Sequence, residues 1–501
     1  VRELWLGAST SPNHWVDIEP ALEQKIAALR HHESALSLQP PDDRKTQADL
    51  LFKRGMALRS LGRWEEALGD WREALAAYEE RGDAEAVGRI AVDITQQLLW
   101  GAHFVEALET SRRGLIALGE RTTADRCRLH ASGGATLSLA GSYAAGDGMI
   151  TQALAIAHEL GDEGLKAQVL TARTTVHWAY RQVREAVGPG LTAAELLRAE
   201  GDLWDLATLL GFVEQCLTYM GRLDEVAAIC EELEPLANRL GHMGGLLIVC
   251  RDREVRELLA GDLDKHEEIA NSDLDLCRSA DLPWISRAYT ALGFNHFCRG
   301  RWEEALESFQ EAVRLEPPGF WAGTDWSCLF LAKAYMGDRK AFLAMLEQRR
   351  NSLPRPGQPS TLGAQAVLIA AIEGLAVLGE GEEAGKLYPP VLDQIERGVV
   401  TPPPLFVLCQ TVAGIAAAAG GRWDKAEEHY QEALRQAHEL PHKIAQPEVR
   451  RWYARMLIDR DAPGDRDKAR ELLTEAIAMY REIGMPKHVG MAQALPGEAT
   501  L

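Results

Sequence analysis

One short pattern constrains this chain more than any other feature. Gly-Arg-Trp-Glu-Glu-Ala-Leu occurs at 62–68 and again at 300–306, and Gly-Arg-Trp-Asp-Lys-Ala-Glu stands at 421–427. Seven residues before each copy lies a glycine: Gly55, Gly293 and Gly414. After each copy come an aromatic residue and an alanine at fixed offsets: Trp71 and Ala74, Phe309 and Ala312, Tyr430 and Ala433. Aligning on the small residue of the pattern extends the series through Ala67, Ala107, Gly146, Ala186, Val226, His266, Ala305, Phe342, Ala384, Ala426 and Ala469. Neighbouring members are 37 to 43 residues apart. Regular self-similarity of this length is the mark of a repeat architecture, in which each unit is one supersecondary element.

Within each unit, apolar residues recur at three- and four-residue steps, so the units read as amphipathic helices. One helix pair cannot bury its apolar face alone, and pairs must stack. Small residues such as Gly55, Ala67 and Ala74 let helix backbones approach, and Trp64 and Trp71 fill the space beside them. A glycine recurs at the turn between the two helices, as Gly62, Gly141, Gly221, Gly261, Gly300, Gly337, Gly379, Gly421 and Gly464. Glycine there supplies the left-handed residue that ends a helix. Unit four carries Arg181 at this position. Between units, Gly82-Asp83, Gly161-Asp162 and Gly201-Asp202 pair a stop glycine with an Asp that can cap the next helix. The expected fold is all-α: a right-handed superhelical solenoid of about eleven helix pairs.

Composition removes several classes. The chain has 54 Lys+Arg and 74 Asp+Glu, a formal charge of −20, with 46% hydrophobic and 26% charged residues. That is an ordinary globular balance, not that of a disordered or membrane chain. A net acidic chain opposes a phosphate backbone, so no nucleic acid is expected as a direct partner. The longest apolar stretches, 366–379 and 405–420, are shorter than the roughly 18 residues that suggest a membrane span. Eight scattered cysteines form no C-x-x-C pair, and read as reduced thiols in a cytoplasmic protein.

The pattern resembles the tetratricopeptide repeat (TPR) over roughly Ala48 to Met485, most specifically at Gly55–Ala74, Gly293–Pro317 and Gly414–Ala433. The period is longer than the usual 34 residues. Long units of this kind are similar to the C-terminal arrays of bacterial ATPase-type transcription activators and of class III adenylate/guanylate cyclases. The resemblance implies a protein-binding scaffold acting in signal transduction, with a catalytic module upstream. Val1 in place of Met, and a half-unit (Ala28, His32, Ala35, Pro40) whose partner helix would fall on Ser9–Leu22, fit that expectation. Units eight and nine depart from the pattern at Arg339 and Gly381.

No catalytic, cofactor-binding or metal-binding residue is assigned. Gly379-Glu-Gly-Glu-Glu-Ala-Gly-Lys386 has the wrong glycine spacing for a phosphate loop, no Ser or Thr after the lysine, and repelling acids. His266 and Asp262 share a helix face, but Asp262 reads as a helix cap and His266 as the packing slot of unit six. Trp64, Trp302 and Trp423 share one slot and read as core. In the resembled family the first helices line a concave groove. Gln96, Thr171, Thr175, Trp178, Gln215, Thr218, Arg251 and Arg287 fall on those helices in units two to seven. Aromatic, amide and guanidinium groups suit an extended peptide, the aromatics as anchors and the amides on its backbone. The expected partner is a protein or peptide, or an upstream domain of the same polypeptide; a small ligand in the groove is the alternative. The expected divisions are an entry half-repeat at 1–45, a first subarray at 46–352, a second at 353–485 beginning at the Pro-rich Leu353–Ser360, and a tail at 486–501.

Overall fold

The computed structural model describes residues 19–38, 43–279 and 284–498. Val1, Pro40 and residues 9–18 of the expected entry helix lie outside the described residues. Among the described residues all regular structure is helical. Helix α1 (Glu19–Leu38) precedes eleven helix pairs. The first helices of the pairs are α2 (Arg44–Ser60), α4 (Ala84–Trp100), α6 (Ala124–Leu139), α8 (Glu163–Ala179), α10 (Leu203–Tyr219) and α12 (Met243–Ala260). They continue as α14 (Ile285–Cys298), α16 (Thr324–Tyr335), α18 (Leu362–Val377), α21 (Cys409–Ala419) and α23 (Ala445–Arg460). The second helices are α3 (Trp64–Glu80), α5 (Phe104–Leu118), α7 (Tyr143–Leu160), α9 (Val183–Glu200), α11 (Leu223–Leu240) and α13 (Leu263–Ser279). They continue as α15 (Trp302–Arg314), α17 (Arg339–Arg349), α19 (Gly381–Lys386), α22 (Trp423–Glu439) and α24 (Asp465–Ile483). An extra helix, α20 (Tyr388–Glu396), follows α19, and α25 (Pro486–Glu498) covers α24. The segment 486–501, expected as a tail, is therefore helical over most of its length.

Each member of the aligned series lies on a second helix and is buried, from Ala67 on α3 to Ala469 on α24. All nine turn glycines have positive φ, between 70° and 110°. Asp83, Asp162 and Asp202 cap α4, α8 and α10 by accepting the N–H of Ala86, Leu165 and Asp205. The close approach is visible in the glycines themselves. A Cβ on Gly293 would stand 2.6 Å from the Phe309 ring, and one on Gly414 would stand 2.8 Å from Tyr430. The result is an all-α solenoid of stacked helix pairs. The irregular ninth unit, whose second helix spans only six residues, is the one that carries Gly381. Across 353–360, α16 packs directly against α18.

One expectation is corrected. Trp64, Trp302 and Trp423 are half-buried, not core, because their slot is the first residue of the second helix. There each ring lies along the outside of the core; the Trp302 indole N–H donates to the Phe297 carbonyl at 3.2 Å.

The solenoid also folds onto itself. Later units reach the inner ends of early first helices, as in the bonds from Gln365 Nε2 to the Tyr180 carbonyl (3.0 Å) and from the Val400 N–H to the Tyr219 carbonyl (2.8 Å). One apolar cluster accordingly joins Trp178 and Phe212 to Phe320, Trp321, Leu362, Val399 and Cys409.

Candidate functional site

The first helices pack on one another along α4, α6, α8, α10 and α12, which makes them one continuous wall. Opposite this wall stand Trp284, just before α14, and Phe320 and Trp321 of the short 3-10 turn Gly319–Trp321. Two cavities lie between and share Leu99, Trp100, Thr175 and Phe212, so they form two arms of one chamber. Counted with their open mouths, the arms enclose about 520 Å³ and about 770 Å³.

The smaller arm is apolar and aromatic. Trp178 meets Phe212 and Phe320 at ring-centroid distances of 5.0 and 5.1 Å, and Trp284 meets Trp321 at 5.6 Å. Its polar groups include Thr175, Gln215, Arg251 and the indole N–H of Trp284, which meets no hydrogen-bond partner. The larger arm is mixed: Arg59, Arg128, Gln96, Gln97, Gln168, Thr171 and Asp205 share it with Trp100, Trp204 and Phe212. The Arg59 guanidinium lies 4.3 Å from the Trp204 ring centre and 3.3 Å from Asp93. Burial, reinforced by the charge of Asp202, pushes the Asp205 carboxyl above the usual carboxylate range.

Six of the eight expected groove residues therefore come together. Gln96 and Thr171 line the larger arm, Trp178, Gln215 and Arg251 the smaller, and Thr175 both. Thr218 and Arg287 do not line either arm. The Thr218 hydroxyl donates to Glu214 at 2.9 Å, and Arg287 is bound to Glu254 at 2.6 Å behind the wall. Trp178 is not a free anchor: it is 5% exposed, and its indole N–H donates to the Tyr219 hydroxyl at 3.2 Å. Of the six that line the chamber, Gln96, Gln215 and Arg251 are half-buried, and Thr171, Thr175 and Trp178 are buried.

The charges behind the wall are paired unequally. Glu254 takes Arg287 and lies 3.4 Å from His266 Nε2, and its carboxyl sits at about 2; burial is the largest single influence and pushes it up, but the charges and hydrogen bonds of Arg287 and His266 together outweigh it. Asp273 lies 3.8 Å from Arg287, and burial raises its carboxyl to about 6. Nε and Nη2 of Arg251 are closed off from solvent and meet no hydrogen-bond partner. His266 fills the packing slot, with Asn295 Nδ2 at 3.0 Å from its Nδ1, and Asp262 caps α13 through the Lys265 N–H.

Sequence reasoning missed Trp100, Phe212, Trp284, Phe320 and Trp321. Trp284, Phe320 and Trp321 sit between helices, where the repeat pattern carries no signal; only their aromatic character marked them. It also missed the buried trio Glu214, Cys230 and Asp252, which come from three different helices. The trio is already engaged: Thr218 donates to Glu214, and Arg256 to Asp252 at 2.7 Å. A separate cavity lies in the later units between Phe297, Tyr335, Glu373, Leu405, Trp452 and His488.

Comparison with known proteins agrees with the repeat reading. The family model described as Tetratricopeptide repeat matches residues 48–81 and 286–318. No curated protein sequence matches the chain. Among solved structures, the chain is similar to yeast Tom70 at 12% identity, covering 91% of this chain and 97% of that one with a TM-score of 0.35. It is similar to a Rap protein complexed with competence and sporulation factor at 11% identity, covering 82% and 96% with a TM-score of 0.45. It is similar to the APC/C hetero-tetramer Cut9-Hcn1 at 12% identity, covering 96% and 95% with a TM-score of 0.43.

Proposed function

We propose that this chain is a non-catalytic interaction scaffold that reads a protein or peptide segment, or a neighbouring domain of its own polypeptide, at the inner face of units two to six. The observation that carries this reading is the convergence of Gln96, Thr171, Thr175, Trp178, Gln215 and Arg251 on one chamber. Amide and guanidinium groups beside large aromatic rings are the usual equipment of a recognition surface. A hydroxyl–imidazole pair does stand at the larger arm, Thr208 with His242 Nε2 at 3.0 Å, but His242 Nδ1 accepts the Gly245 N–H, so Nε2 carries the ring proton and cannot act as a base toward that hydroxyl. The test is capture of partners from the native host with wild type and with Gln96→Ala/Gln215→Ala, after showing that both melt alike. The reading expects the variant to lose its partners, and identical partners at equal abundance contradict it.

The likeness to long-unit bacterial arrays supports a further assignment: the regulatory arm of a cytoplasmic bacterial signalling protein with an ATPase or cyclase module upstream. All eight cysteines are free thiols, and among the described residues no helix is long and apolar enough to cross a membrane. An in-frame coding sequence upstream that carries neither module contradicts the assignment.

A second reading, a small-ligand sensor, draws on one specific observation. Trp284, Phe320 and Trp321 stand across the inner face, so the smaller arm is a chamber and not an open groove. An occupant would touch units two to six and units seven and eight at once, and would tie distant parts of the solenoid together.

A further inference from the structure

The smaller arm of the chamber has an unusual polarity. Its walls are aromatic rings, and it carries one permanent charge, on Arg251. Arginine stays protonated in proteins, and its planar fork matches a carboxylate in two parallel hydrogen bonds. A buried guanidinium without partners is costly, so native structures pair such groups. Here Nε and Nη2 are buried and unpaired. Three carboxylates lie within the reach of the Arg251 charge, Glu254, Asp273 and Glu214, and none forms an ion pair with it. Glu254 is bound to Arg287 at 2.6 Å, and Asp273 lies 3.8 Å from the same arginine.

We propose that the smaller arm binds a small carboxylic acid with an apolar body of aromatic size, its carboxylate on Arg251 and its body against the half-buried Trp100 ring and the neighbouring Phe212 and Trp284 that line the arm. This rests on the small-ligand reading. The chemistry of the arm excludes the main alternatives. A sugar needs several hydroxyl partners, and besides Arg251 the arm offers a single indole N–H, on Trp284, with Thr175 and Gln215, both of which already donate to carbonyls of their own helices. A phosphate ester needs more than one cation. An extended peptide would have to pass Trp284, Phe320 and Trp321. An amine would face the arginine.

The experiment is calorimetric titration of the 501-residue protein with 4-phenylbutyrate and with its uncharged amide. The expected result is at least tenfold tighter binding of the acid. Arg251→Gln is expected to weaken the acid at least tenfold and leave the amide unchanged, and Arg251→Lys to fall between. Equal binding of acid and amide by the wild type overturns the carboxylate assignment while the small-ligand chamber stands. Binding of neither overturns both. If Arg251→Gln melts lower but keeps its preference for the acid, Arg251 serves Asp273 and the proposal fails. A pentapeptide ending in a free-acid phenylalanine is the third probe. If it binds more tightly than 4-phenylbutyrate, the occupant is a chain terminus and the small-acid proposal is wrong. The wild-type comparison decides even if no Arg251 variant folds.

Discussion

The guanidinium of Arg181 donates to the carbonyl of Pro403 at 2.6 Å, across 222 residues of sequence. Arg181 occupies the turn position that is glycine in nine other units, and it adopts the same left-handed backbone, with φ of 49°. A side chain in that region costs of order 1–3 kcal/mol. What the side chain gains is reach. Fully buried, it also approaches Gln394 and lies over the Tyr219 ring, and burial pulls its pKa down to about 10. The residue that breaks the repeat rule is therefore a tie between unit four and the segment before unit ten.

The tie predicts opposite local and long-range effects for Arg181→Gly. The turn relaxes, but the Pro403 carbonyl and the space around Tyr219 lose their partner. A lost buried hydrogen bond to a charged group costs roughly 1.5–3 kcal/mol. We expect a net destabilisation in urea, with faster amide exchange near Val400 while the unit-four helices stay protected. Unchanged exchange near Val400 contradicts the role.

Gly293→Ala should destabilise, although alanine is the better helix former by about 1 kcal/mol. The added methyl would stand 2.6 Å from the Phe309 ring, which is 2% exposed and has no room to swing away. Overpacking of this kind costs about 1–3 kcal/mol. A Phe309→Leu background should restore part of the loss. An unchanged melting temperature for Gly293→Ala sinks the packing argument.

Stability should fall on both sides of neutral pH, for separate reasons. His242 and His442 are buried and neutral. Each accepts a backbone N–H on Nδ1, from Gly245 at 2.9 Å and Ala445 at 3.2 Å. Burial holds both at about 4, below the 6.5 of an unfolded histidine. Their stabilisation is therefore full above pH 6.5 and is lost as pH falls toward 4. Glu214 is the reverse case. Burial and then the charge of Asp252 raise it to about 8, so its contribution is full below about 4.5 and is lost as pH rises toward 8. His442→Asn should flatten the acid limb, and Glu214→Gln should stabilise more at pH 8.5 than at pH 5. Urea titrations across this range measure both, and parallel curves for wild type and variants count against the assignments.

Trp178→Ala and Gln215→Ala should part company. Trp178 is packed between Phe212 and Phe320, so truncation leaves a cavity and costs about 3–5 kcal/mol. Gln215 is half-buried at the chamber, and its one internal bond, 3.4 Å to the Gly211 carbonyl, is long. Its loss should leave stability within about 0.5 kcal/mol. Equal melting of the two variants would mean that Trp178 is not packed as described.

The stack was legible because its determinants are local. A packing residue every 37 to 43 positions, small in most units, a left-handed glycine between the two helices in nine of the units, and an Asp cap at the start of a following unit each act over a few residues, and the structure places them where the period puts them. The chamber wall was legible for the same reason, since first-helix positions follow from the period. The far side was not. Trp284, Phe320 and Trp321 lie outside the periodic segments, and bonds such as Gln365 to Tyr180 join positions 185 residues apart. No local pattern encodes which later loop meets which early helix. Trp178 was placed on the correct face, but the Phe320 ring that covers it belongs to that unseen side.

The central claim is that later units close the inner face, which turns a groove into a chamber. Native-state hydrogen exchange at Val400 and Thr401 tests it most directly. Both residues lie outside any helix, and both donate to the Tyr219 carbonyl, at 2.8 and 3.1 Å. The closed solenoid predicts protection at these two amides comparable to that of the neighbouring helix α21. Exchange at the rate of an unstructured loop, with α21 still protected, would show that the inner face is open and would contradict the chamber.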